Sequence, residues 1–122
     1  MSYKVLISDS LSKNAVKIFE ARGIEVSYRP EIGQQRDILT KEIGEFDGLA
    51  VRSATILDKE VLEKAKNLKV IGRAGIGIDN IDLEFASTKG IAVMNTPFGN
   101  AITTAEHTIA LIFSAARQIP AA

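Results

Sequence analysis

The sequence predicts an α/β domain built as a flavodoxin-like, doubly wound parallel sheet, with a long helix at its carboxyl end. Three observations carry this. Short β-branched apolar runs alternate with stretches of helical spacing. Glycine and capping residues punctuate the alternation. Two of the apolar runs lead into arginine, at the edge where open α/β sheets take ligands.

Strands are expected near Val5–Ser8, Glu25–Tyr28, Leu49–Arg52, Val70–Gly72 and Ile91–Met94. Ser10 is placed to cap a first helix whose Leu11, Ala15, Ile18 and Phe19 share a face, and Gly23 to end it. The polar stretch Pro30 to Glu45, with Ile38, Leu39 and Ile43 to bury, reads as one helix; Asp58 and Asp82 are caps of later ones. Right-handed crossovers then leave all five strand ends on one edge of the sheet. The longest helical pattern follows Asn95-Thr96-Pro97-Phe98-Gly99-Asn100, with Ile102, Ala105, Ile109, Ile112, Phe113 and Ala116 on one face and Asn100 as N-cap. Its apolar face needs a cover, which suggests a helix crossing into a further domain. The division expected is a substrate-binding unit over residues 1–98 and a crossing helix over 99–122.

With 122 residues and 46% apolar content, one compact core is affordable. Lys+Arg and Asp+Glu balance at 15 each, so no basic field exists for nucleic acid or an anionic membrane. No cysteine and one histidine exclude disulfides and thiolate chemistry and argue against a metal site. The apolar stretch Ile109 to Ala116 is far below the ~18 residues of a membrane span. A cytoplasmic protein with a small ligand is the expectation.

The segment Gly75-Ile76-Gly77-Ile78-Asp79-Asn80 begins like the dinucleotide fingerprint G-x-G-x-x-G, but Asn80 stands at the third glycine and Asp79 brings a negative charge. A pyrophosphate cradle is therefore rejected. Two readings stay open for the glycines: an ordinary tight turn, or backbone N–H groups exposed to a carboxylate or phosphate. Arg52 and Arg73 are suited to bidentate anion bonds, or else pair with Asp9, Asp79 or solvent. Ser53 is an extra donor candidate. Asn95 and Asn100 read as turn or cap residues before ligand contacts, and Thr104 as a helix-start residue. His107 has no partner carboxylate at a useful spacing and is a poor catalytic candidate.

Taken together, Val51-Arg52-Ser53-Ala54-Thr55, Val70 through Asp82, Met94 through Asn100, Ala105-Glu106-His107-Thr108 and Ala115 through Pro120 resemble the NAD-dependent D-2-hydroxyacid dehydrogenase family. The resemblance covers nearly the whole chain. It implies the substrate-binding portion of an enzyme that oxidises 3-phosphoglycerate to 3-phosphohydroxypyruvate with NAD, a step of serine biosynthesis. Carried over, Arg52, Ser53, Arg73, Gly75 and Asn100 hold the substrate's carboxylate and phosphate, while Ile76 and Thr104 touch the cofactor. The phosphorylated substrate is favoured because a second cation suits a second anion. The family's nucleotide fingerprint and catalytic arginine, glutamate and histidine have no counterpart in these residues, so no catalytic residue is assigned and the chain alone is not expected to turn over. A homodimer through the carboxyl-terminal helix is expected. The alternative is a non-catalytic module that binds small anions or self-associates through that helix.

Overall fold

The computed structural model describes residues 3–97 together with Ile109. Five strands, β1 (Lys4–Ile7), β2 (Glu25–Tyr28), β3 (Gly48–Val51), β4 (Val70–Arg73) and β5 (Ala92–Asn95), form one parallel sheet in the order β2-β1-β3-β4-β5. That is the order of the flavodoxin-like layout the sequence predicts. The register sets Ala50 beside Gly72 and Gly72 beside Met94, then Val51 beside Arg73 and Arg73 beside Asn95. Each strand end falls within about a residue of the expected position, so β3, β4 and β5 deliver their following loops to one edge. The expected long carboxyl-terminal helix, with Asn100, Thr104 and His107, lies outside the described residues.

Four helices connect the strands: α1 (Lys13–Ala21), α2 (Arg36–Glu42), α3 (Lys59–Glu63) and α4 (Leu83–Thr88). The main core lies on one face of the sheet, where Leu6, Leu49, Val51 and Ile71 pack against Leu39, Ile43, Val61, Leu62 and Ala86 from α2, α3, α4 and the turn after α2. Alternate strand residues point the other way, toward α1, and Ile7 is fully buried on that side. Beyond α1 the second face is floored by Ala50, Gly72 and Met94 and stays open as a hollow of about 420 Å³.

Three local expectations are corrected. The first helix is capped by Ser12, not Ser10: the Ser12 hydroxyl accepts the Asn14 N–H at 3.2 Å. Ser10 and Leu11 are held outside the helix because their carbonyls accept the Arg52 guanidinium and the Tyr28 hydroxyl. Ile18, expected on the inner face of α1, is 60% exposed. The segment Pro30 to Glu45 is not one helix but a 3₁₀ turn Ile32–Gln34, then α2, then a second turn Ile43–Glu45. The first turn is tied to β1 by the Gly33 N–H, which donates to the Ser8 carbonyl at 3.1 Å, and it buries Ile32 completely. Gly23 ends α1 as expected, at φ 75°, where a Cβ is strained.

Asp58 and Asp82 cap α3 and α4 as expected, accepting the N–H groups of Val61 at 3.2 Å and Phe85 at 3.0 Å. The Arg36 guanidinium donates to both Asp58 carboxylate oxygens at 2.8 Å and, helped by the Val61 N–H, holds that carboxyl below its ordinary range against the opposing effect of burial. A depressed folded-state value means the stabilisation is present above the unfolded value of about 4 and is lost as pH falls through the folded one. Because the Asp58 side chain is 48% exposed, the ion pair itself adds little and the cap carries most of the effect. Asp58→Ala is expected to destabilise by about 1 kcal/mol at neutral pH, with the gap to wild type closing in denaturant titrations as pH falls below about 4.

Candidate functional site

At the carboxyl edge of the sheet, three neighbouring loops, following β3, β4 and β5, carry the candidate residues. Arg52 is the first residue after β3, and Arg73 is the last residue of β4. The Ala74 N–H donates to the Val51 carbonyl at 2.9 Å, so the strand ladder runs on to the point where both arginines leave the sheet. The loop after β5 joins them: the Thr96 N–H donates to the Gly75 carbonyl at 3.0 Å, and the Asn95 amide donates to the Ile76 carbonyl at 2.9 Å. Asn95, read from the sequence as a turn or cap residue, is instead the last residue of β5, and its amide is spent on this tie between loops.

The two guanidinium groups have different partners. Arg52 is exposed and donates to the Ser10 carbonyl at 3.2 Å. The Arg73 side chain is only 11% exposed, its Nε is buried without a hydrogen-bond partner among the described residues, and Nη1 lies 3.4 Å from the Asp79 carboxylate. That distance is long for a charge-assisted bond. Asp79 is 94% exposed, so solvent screens the pair and a competing anion displaces it at small cost.

The glycines work differently from a bare N–H cradle. The Gly75 N–H is taken by the Arg73 carbonyl at 3.0 Å. Neither Gly75 nor Gly77 has positive φ. Gly77 provides room: a Cβ there falls 2.9 Å from Arg73 Nη1, whereas one on Gly75, 3.6 Å from Arg73 Nε, sits at ordinary contact distance. Gly77 therefore seats the arginine, and α4 begins only at Leu83, too far on to offer a helix end to a pyrophosphate. The rejection of a nucleotide cradle stands on this geometry. Ile76, 45% exposed beside Gly75, offers an apolar side chain at the same edge.

Ser53 is exposed in the loop after β3. Two residues that were not candidates hold this loop. Asp9, 2% exposed, accepts the Arg52 N–H at 2.5 Å and the Thr55 N–H at 3.2 Å through one carboxylate oxygen. Asn80 donates from its amide to the Arg52 and Thr55 carbonyls, both at 2.7 Å. Beneath them the fully buried Ser8 and Thr55 hydroxyls bond at 2.9 Å. The signal for Asp9 was present in the sequence as a carboxylate directly after a buried strand, Ile7-Ser8-Asp9; nothing in the sequence says which backbone it accepts from. Asn100 and Thr104 lie outside the described residues. No helix among the described residues is long and apolar enough to cross a membrane, and no three metal-ligating side chains cluster among them.

Comparison with known proteins agrees with this layout. The family model for the catalytic domain of D-isomer specific 2-hydroxyacid dehydrogenases matches residues 5–118. D-3-phosphoglycerate dehydrogenases from Archaeoglobus fulgidus and from Homo sapiens are each 47% identical over 119 residues, 98% of this chain. The chain spans 22% of those relatives' own length. Among solved structures, a Pyrococcus horikoshii protein matches 98% of this chain and 35% of its own, with a TM-score of 0.85 at 34% identity. An NAD+-bound 3-phosphoglycerate dehydrogenase from Entamoeba histolytica matches 93% of this chain and 39% of its own, with a TM-score of 0.77 at 34% identity. Since the family match begins in β1 and runs through every strand whose end builds this edge, the chain belongs to the D-isomer specific 2-hydroxyacid dehydrogenase family.

Proposed function

We propose that this chain is the substrate-binding portion of an NAD-dependent D-3-phosphoglycerate dehydrogenase, a cytoplasmic enzyme of serine biosynthesis that oxidises 3-phosphoglycerate to 3-phosphohydroxypyruvate. The carrying observation is the delivery of Arg52 and Arg73 from adjacent strands to one edge, in a chain 47% identical to such enzymes. Arg52, Ser53, Arg73, Gly75 and Asn100 are assigned to the carboxylate and phosphate of the substrate. Gly75 acts through its carbonyl tie to Thr96, which holds the loops after β4 and β5 together. The nearly buried Arg73 guanidinium, whose Nε has no partner among the described residues, is the stronger anion ligand of the pair, because little water competes for it.

Ile76 and Thr104 are assigned to the cofactor side. The described residues offer NAD an apolar contact and no pyrophosphate cradle, so hydride transfer requires groups this unit does not supply. Residues 1–98 are assigned to the substrate unit, and 99–122 to a segment that leads toward a nucleotide-binding domain and pairs two copies. By itself the chain binds and does not turn over. Joined to the nucleotide-binding portion of the Archaeoglobus relative, it is expected to form NADH from 3-phosphoglycerate; no NADH from a folded chimera counts heavily against the assignment.

Calorimetric titration tests the phosphate role directly. Arg73→Ala removes a charge-assisted bond of about 1.5–3 kcal/mol, so affinity for 3-phosphoglycerate should fall about 10- to 100-fold. The loss for unphosphorylated D-glycerate should be smaller. Equal losses for the two ligands would undo the assignment of Arg73 to the phosphate.

A further inference from the structure

We infer that Asn80 and Asp9 form a two-sided clamp that positions the Arg52–Thr55 loop for its ligand. This rests on the assignment of Arg52 and Ser53 to the substrate. The two residues divide the polar groups of the same two peptide positions. Asp9 takes the N–H groups of Arg52 and Thr55, at 2.5 and 3.2 Å, and Asn80 takes their carbonyls, both at 2.7 Å. All four backbone groups at the ends of the loop are thereby held by side chains from other parts of the chain, and Ser53 and Ala54 project between them, exposed. A loop pinned at both ends presents its side chains with little conformational freedom left to lose on binding.

Asn80 also explains the departure from the dinucleotide fingerprint. Its amide faces two carbonyl oxygens, so its orientation is settled by chemistry: Nδ2 must point at them, because Oδ1 there would oppose two acceptors. A glycine at this position supplies neither bond, and an aspartate places a carboxylate against both carbonyls. Asn80 closes the loop that starts at Gly75 and seats Arg73. The Arg52 loop and the Arg73 loop, joined further on by the parallel bridge of Leu57 with Ile81, are fixed to each other at the arginine end by the Asn80 side chain, which helps hold the spacing of two cations meant for one ligand with two anionic groups. Asn80 is a positioning residue: it acts through Arg52 and Ser53.

The test is a double-mutant cycle on the full chain, read by titration with 3-phosphoglycerate and by amide hydrogen exchange. Asn80→Ala should weaken binding about tenfold in the wild-type background and less than about twofold when Arg52→Ala and Ser53→Ala are already present. It should also speed exchange at the Arg52 and Thr55 amides by more than about tenfold while leaving the Leu6 amide in β1 nearly unchanged. Asn80→Ser, which keeps one donor, should fall between, and serves if the alanine variant folds poorly. Equal losses of affinity in both backgrounds would overturn the positioning role, as would unchanged exchange at Arg52 and Thr55. If the wild type binds no 3-phosphoglycerate, the substrate assignment and the positioning role fall together, and exchange then reports only whether the clamp holds the loop. If it binds and Arg52→Ala is weakened but Asn80→Ala is not, the clamp alone fails.

Discussion

Gly33→Ala is expected to destabilise the chain by about 3 kcal/mol or more, at the upper end of what overpacking costs. A Cβ there lies 2.2 Å from the Thr55 hydroxyl and 2.5 Å from the Ser8 carbonyl, with the Asp9 carboxylate at 3.2 Å. None of these can retreat cheaply. The Ser8 carbonyl belongs to the backbone leaving β1 and accepts both the Gly33 N–H and the Thr55 hydroxyl, while Ser8 and Thr55 are completely buried. Relief of the clash therefore breaks buried hydrogen bonds, each about 1 kcal/mol or more when a donor is stranded. Two other glycines serve as controls. Gly77 also meets a close atom, but that atom is the tip of a long arginine side chain, which swings away. Gly23→Ala meets nothing within 4 Å and costs only the strain of its positive φ, about 1 kcal/mol. Denaturant midpoints should rank wild type above Gly23→Ala and Gly23→Ala well above Gly33→Ala; a Gly33→Ala midpoint equal to that of wild type would show that the packing described here is wrong.

Asp9→Ala is expected to cost about 3 kcal/mol and to abolish measurable binding of 3-phosphoglycerate. One carboxylate oxygen, in a side chain 2% exposed, serves the N–H groups of both Arg52 and Thr55. Bonds to a charged acceptor are the stronger kind, and removing the acceptor strands two donors where water has poor access. Asp9→Asn separates shape from charge. Because the same oxygen makes both bonds, an amide with its oxygen in that position keeps both partners, so the loss should shrink to about 1 kcal/mol and part of the binding should survive. Alanine and asparagine variants with equal stability would mean that the carboxylate is not the acceptor that holds this loop. The effect should spread to Arg52 specifically, since its N–H carries the shorter of the two bonds.

The sequence by itself determined the sheet. Runs such as Val5-Leu6-Ile7 and Leu49-Ala50-Val51 are too short and too apolar for an amphipathic helix, and their alternation with capped helical stretches requires parallel strands. Side chains of Asp58 and Asp82 announced helix starts, because a cap acts on a backbone only two or three residues away. For the same reason the arrival of Arg52 and Arg73 at one edge was legible: it follows from strand direction and crossover handedness alone.

What the tertiary structure decided involves partners distant in the chain. Ser10 was expected to cap the first helix, but its carbonyl meets the Arg52 guanidinium, 42 residues away, and Ser12 takes the cap. The segment from Pro30 to Glu45 had the length of a helix, yet Gly33 was claimed by Ser8 and broke it. For the glycines after β4 a tight turn and an anion cradle both stayed open, and the fold turns Arg73 back onto Gly77. Asn80, which the sequence marked only as a missing glycine, proved to bind backbone carbonyls 28 and 25 residues earlier. Local pattern encodes period, caps and turns because these are interactions between near neighbours; which backbone a buried Asp or Asn satisfies depends on where the sheet brings other segments, and that is settled only when the chain is packed.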